Sequence, residues 1–111
     1  MNIIKIKNEF MHSPLWYCDE NGIEWDNEKE FIDFISDSEL QSIAKKIEEL
    51  FNSYYEFESH NQPCWFNEEK EKKDKQQMLA LLNQLKDKLN ELNDGLVDIE
   101  DLETPRVEKL W

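Results

Sequence analysis

A helix-dominated α+β domain is the fold class that this sequence predicts. A small N-terminal antiparallel sheet, made of a strand at 1–7 and a hairpin at 15–26, is expected to pack on three helices at about 28–35, 38–56 and 67–93. Three observations lead there. The first seven residues alternate apolar and polar, Asn21-Gly22 separates two short aromatic-bearing runs, and from residue 38 apolar positions recur at helical spacing. A chain of 111 residues supports one domain, 1–111, with one core. Only two Gly and three Pro occur, which fits a helix-rich chain with few tight turns.

In the strand at 1–7, Ile4 and Ile6 share one face and Lys5 and Lys7 the other. Asn8, Ser13 and Pro14 mark a loop. Leu15-Trp16-Tyr17-Cys18-Asp19-Glu20 and Ile23-Glu24-Trp25-Asp26 then flank Asn21-Gly22, a pair suited to a type I′ turn because both residues tolerate positive φ. That turn sets Cys18 opposite Trp25 and Asp19 opposite Glu24. One side of the hairpin then carries Trp16, Cys18, Ile23 and Trp25, and the other carries Tyr17, Asp19, Glu24 and Asp26. Like charges opposite one another are unfavourable, so the lysine-bearing first strand is expected to dock beside this hairpin.

Asn27 with Glu30, and Ser36 with Glu39, have capping-box spacing. Phe31, Phe34 and Ile35 form a short stripe after the first. Leu40, Ile43, Ala44, Ile47, Leu50, Phe51 and Tyr54 form a long one after the second. Pro63 and the polar residues before it read as a loop over 57–66. Asn67 can cap a third helix, whose polar first turns offer Glu68/Lys72, Glu69/Lys73 and Glu71/Lys75 as i,i+4 pairs. Met78, Leu82, Leu85, Leu89 and Leu92 then make an apolar seam about two heptads long. It suits intramolecular packing on the 38–56 helix better than a coiled coil. Asn93-Asp94-Gly95 ends that helix at a residue tolerant of the left-handed region. The 96–111 tail is expected to pack back as a short strand or helix, with Pro105 preventing a long one.

The composition narrows function. There are 26 acidic residues against 13 Lys and Arg, a formal net charge of −13, which opposes direct binding to a nucleic-acid backbone. No apolar run approaches the roughly 20 residues that cross a bilayer, and the lysines at the start do not suit a signal peptide. A cytoplasmic protein without a membrane role is expected. There Cys18 and Cys64, which form no CxxC pair, are expected to be free and buried.

Tyr17, Asp19, Asn21, Gly22 and Glu28 have the spacing of a calcium loop, but Tyr17 stands where the first carboxylate belongs, so no metal is expected. His12 and His60 lack the partners of a zinc site. Nothing places a cysteine beside a histidine for nucleophilic catalysis, and two glycines cannot build a phosphate loop. No enzymatic activity and no cofactor are expected.

The acidity is localised. Asp19, Glu20, Glu24, Asp26, Glu28, Glu30, Asp33, Asp37 and Glu39 face only Lys29 within 19–39. Glu91, Asp94, Asp98, Glu100, Asp101, Glu103 and Glu108 face only Arg106 within 91–108. Such stretches keep a protein soluble, or steer it to a basic partner. Tyr17, and Tyr54 and Tyr55 near Trp65 and Phe66, are candidate interface aromatics. The candidate partner-binding residues are Tyr17, Asp19, Glu24, Asp26, Asp98, Glu100, Asp101 and Glu103.

As a small acidic domain that keeps aromatic residues but has no catalytic motif, the chain resembles the immunity proteins of bacterial toxin–immunity systems, in particular those of contact-dependent growth inhibition. The resemblance is one of type and spans the whole chain. It implies a monomer that binds one cognate toxin domain 1:1, often a basic nuclease, and neutralises it. The same physics suits a nucleic-acid-mimicking inhibitor of a defence nuclease. A helical adaptor or regulatory subunit using the Met78–Leu92 seam is the reading from a different class.

Overall fold

The computed structural model describes residues 1–24, 28–59 and 62–110, and it is a mixed α+β fold. The order is β1 (Asn2–Ile6), β2 (Leu15–Cys18), a 3-10 turn (Glu28–Phe31) running into α1 (Ile32–Ile35), α2 (Ser38–Asn52), β3 (Tyr55–Ser59), β4 (Gln62–Phe66), α3 (Glu68–Lys73), α4 (Lys75–Leu92), β5 (Val97–Asp101) and α5 (Glu103–Glu108). One sheet has the strand order β2-β1-β5, and β3 and β4 form a separate two-stranded ribbon.

The alternation in the first residues does what it predicts, since Ile4 and Ile6 are fully buried. β1 lies antiparallel to β2 and parallel to β5, so the sheet is mixed rather than purely antiparallel. Val97, Ile99 and Asp101 alternate with Asp98 and Glu100, and this period of two is why the tail supplies a strand. α5 follows it, with Pro105 in the first turn, where a missing N–H costs little.

The turn after β2 is not the expected one. Positive φ occurs at Gly22 (80°) but not at Asn21, so a type I′ turn is excluded. Instead the Gly22 N–H donates to the Asp19 carbonyl at 2.9 Å. The Asp19 carboxylate accepts from the N–H groups of Asn21 (2.9 Å) and Ile23 (3.0 Å). The Asp19 side chain thus moves the turn back to 19–22, with Gly22 as the bulge residue. Cys18 therefore bridges Glu24, and Asp19 and Glu24 do not face each other. Trp25, Asp26 and Asn27 lie outside the described residues.

The faces are also exchanged relative to expectation. Ile4 pairs with Tyr17 and Ile6 with Leu15, so Leu15 and Tyr17 take the core side while Trp16 and Cys18 take the other. A strand of aromatic and branched residues does not reveal by itself which side is buried.

α2 starts one residue later than the Ser36 capping signature suggests. Asp37 is the cap, accepting from the Leu40 N–H at 2.8 Å, while the Ser36 hydroxyl donates to the Ile32 carbonyl at the end of α1. Leu40, Ala44, Ile47 and Phe51 of α2 and Met78, Leu82, Leu85 and Leu89 of α4 are buried in one core, where the two helices pack together. Each fully buried Leu contributes about 1.5–3 kcal/mol of transfer free energy. The α4 seam is thus largely filled from within the chain.

α2 ends at Asn52, and the segment expected to finish it and then form a loop makes the β3–β4 ribbon. β4 contains Pro63, which a two-stranded ribbon tolerates more readily than the middle of a sheet. Asn67 caps α3 as its spacing predicts, accepting from the Lys70 N–H at 3.0 Å. The third helix is divided at Asp74 into α3 and α4. The predicted Glu71/Lys75 pair spans that break. Glu71 instead turns inward to Arg106, and Lys75 donates to the carbonyls of Glu108 and Leu110.

Cys18 and Cys64 are both free. Cys18 is buried as expected, but Cys64 is exposed on the ribbon. Among the described residues no helix is long and apolar enough to cross a membrane.

Candidate protein-binding face

The core side of the three-stranded sheet is made by Ile4, Ile6, Leu15, Tyr17, Val97 and Ile99. Its outward side is made by Ile3, Lys5, Trp16, Cys18, Asp98 and Glu100. Because β1 lies between β2 and β5, residues from the two acidic stretches meet on that outward side. Glu24, Cys18, Ile3 and Asp98 form one row across the strands, and Trp16, Lys5 and Glu100 form the next. With strands about 4.8 Å apart, Asp98 lies about 10 Å from Cys18.

The buried Cys18 thiol registers this convergence. Burial pushes its pKa up, the nearby Lys5 ammonium pulls it down, and Glu24, Asp19 and Glu100 push it up again. A carboxylate from β5 and two from the β2 turn therefore act on one atom. Lys5 places one positive charge on this face, and its Nζ donates to the Gly22 carbonyl at 3.0 Å, which holds the turn against the sheet. Glu20, exposed at the turn, lies 3.6 Å from the N-terminal amine.

The eight residues named from sequence divide into separate groups. Asp98 and Glu100 are exposed on β5, and Glu24 is exposed with Oε1 3.5 Å from His12 Nε2. Asp19 lies in the turn itself, where its carboxylate accepts from the Asn21 and Ile23 N–H groups. Tyr17 is on the opposite side. Its ring packs on Phe31 with centroids 5.0 Å apart, its hydroxyl accepts from Gln41 at 3.3 Å, and burial raises its pKa. Asp26 lies outside the described residues.

Asp101 and Glu103 serve the fold. Asp101 accepts from the Glu103 and Thr104 N–H groups and pairs with Lys86 at 3.1 Å. Burial would raise its pKa, but the hydrogen bonds from Thr104 and Lys86 outweigh burial and lower it. Glu103 is 2% exposed. It accepts from the Asn8 N–H and binds Arg106, which also reaches the buried Glu71 at 2.7 Å. Two interior carboxylates thus share one guanidinium.

Glu20, outside those eight, is exposed at the turn, and its place in an acidic run two residues before a turn glycine is the sequence signal for it. The aromatic group near 54–66 is mostly interior. Tyr54 is fully buried with Phe51 and Phe66 edge to face against it, Tyr55 packs edge to face on both of those rings, and Phe10 joins through Tyr55 at 4.4 Å. Phe57, at 58% exposure, is the member of this group that opens to solvent. His12 stacks on Trp16 at 3.7 Å, and His60 lies outside the described residues. Among the described residues no group of three or more His, Cys, Asp or Glu is placed to hold a metal ion.

No family model, curated protein sequence or solved structure matches this chain.

Proposed function

We propose that this protein is an immunity-type inhibitor, which neutralises a toxin domain by presenting the acidic outward face of its three-stranded sheet to a basic surface. One observation carries the reading: Glu24 after the β2 turn and Asp98 and Glu100 on β5, distant in sequence, share one face of one sheet, with Glu20 exposed at the adjoining turn. A nuclease site that binds phosphates is electropositive, and carboxylates on a rigid sheet suit it in place of the nucleic acid. Tyr17, Asp101 and Glu103, which the sequence also suggested, act here by holding the sheet and its C-terminal helix in place.

The test takes the intact protein and any basic toxin domain that an adjacent reading frame encodes. A 1:1 complex in light scattering is expected, with affinity falling as salt rises. Reversing Glu20, Glu24, Asp98 and Glu100 together to Lys is expected to weaken it by roughly a hundredfold or more. Asp19 is left intact because its carboxylate builds the turn. Unchanged affinity in a folded quadruple variant would overturn this assignment of the face.

A further inference from the structure

We infer that the free edge of β5 is a docking site for an extended basic segment of a protein partner, which adds to the sheet as a fourth strand. This rests on the basic-partner reading and specifies how that partner is held.

The backbone pattern identifies the edge. The Leu102 N–H donates to the Ile6 carbonyl, and in the β1–β5 register this directs residues 98, 100 and 102 toward β1. The peptide groups of Val97, Ile99 and Asp101 then point the other way, out of the sheet. At Val97 that direction is already filled by a side chain. The Asn93 carboxamide donates to the Val97 carbonyl at 2.8 Å and accepts from the Val97 N–H at 3.2 Å, as an adjoining strand would. One step along, the N–H and carbonyl of Ile99 face outward with no partner among the described residues. Beyond them lies the Asp101 carbonyl, which no helical bond can take because Pro105, four residues on, has no N–H.

The occupant's chemistry follows from the flanking side chains. Asp98 and Glu100 are exposed on the outward side of the same strand. A strand laid along this edge sets alternate side chains beside them, so Lys or Arg at every second position is favoured. A second copy of β5 brings like charges together and is disfavoured. Strand addition of this kind draws affinity from main-chain bonds and specificity from alternate side chains.

The experiment uses the whole protein and three synthetic nine-residue probes: alternating Lys and Val, alternating Glu and Val, and a peptide with the lysines of the first gathered at one end. Backbone NMR and amide exchange are read residue by residue. The alternating Lys peptide is expected to slow exchange at Ile99 and Asp101, with the other two binding at least about tenfold more weakly. Asp98→Lys with Glu100→Lys is expected to weaken it by about tenfold. Ile99→Pro, which removes an outward N–H and no β1 bond, is expected to abolish protection at Asp101.

Shifts confined to residues 19–24 would overturn the edge site while leaving the acidic face as a binding surface. Binding that ignores peptide pattern, an absence of binding, or protection of Ile99 by self-association would each overturn it too. If Ile99→Pro fails to fold, the double lysine variant decides.

Discussion

Arg106 bridges two carboxylates that are among the most buried charged groups described, Glu71 at 4% exposure and Glu103 at 2%. Removing the cation strands both, so Arg106→Met is expected to cost about 3–5 kcal/mol in urea unfolding. The pair of Lys88 with Glu39, whose carboxylate is open to solvent, is expected to matter far less. Tyr54 shows the opposite case. Its hydroxyl is buried with no hydrogen-bond partner among the described residues, and burial raises its pKa well above the ordinary 10.0. Such a group stabilises the native state fully below pH 10 and less as the unfolded chain ionises above it. Tyr54→Phe is expected to be neutral or stabilising by about 1 kcal/mol at pH 7, and to flatten the loss of stability above pH 10. Thermal unfolding across pH reads both effects.

Asp101 has the reverse sign. Its lowered pKa supplies stability above the ordinary value of 3.8, and that stability is lost as pH falls through the native value. Asp101→Asn is expected to cost about 1 kcal/mol at pH 7, the size of a helix cap. The gap to the native protein should close in acid, as denaturation at successive pH values would reveal.

At the scale of elements, legibility followed how much of each element's environment lies in its own period. β1, α2 and α4 were readable because one side of each is buried by its own repeating apolar residues. α3 was readable at its cap, Asn67, but not at Glu71, whose partner Arg106 comes from α5. The β2 turn departs from the expected one because Asn21-Gly22 competes with the Asp19 carboxylate, and only geometry decides between them. β5 carried a readable alternation that its acids disguised as tail. The ribbon was hidden by Pro63, which argues against a central strand but not against a free-edged one. Of the candidate face, the charge was legible and the convergence was not, since pairing β1 with β5 is a tertiary choice.

The two glycines allow a test at this scale. Both have φ near +80°, so Ala costs about 1–2 kcal/mol at each from the backbone alone. A Cβ at Gly22 also meets Lys5 Nζ at 3.1 Å, whereas nothing lies within 4 Å at Gly95. Gly22→Ala is expected to be the more destabilising in chemical denaturation, and to loosen the acidic turn.

For the whole molecule, a net charge of −13 repels itself in the folded state. Salt is expected to raise the melting temperature of the free protein while weakening its complex with a basic partner. Calorimetry at about 0.05 and 0.5 M NaCl separates the two. A complex that tightened with salt would place the contact on an apolar surface such as the one around Phe57.

The sheet also has a consequence for the order of assembly. Its central strand is the first one synthesised, and one of its two neighbours, β5, is the last. Until Val97–Asp101 leaves the ribosome, β1 can hold only its antiparallel neighbour, and closing so long a loop adds an entropic barrier. The edge proposed to receive a partner is therefore among the last surfaces to exist. A nascent chain arrested before residue 97 would lack it, so binding of a partner at this edge is expected only once Val97–Asp101 has been made.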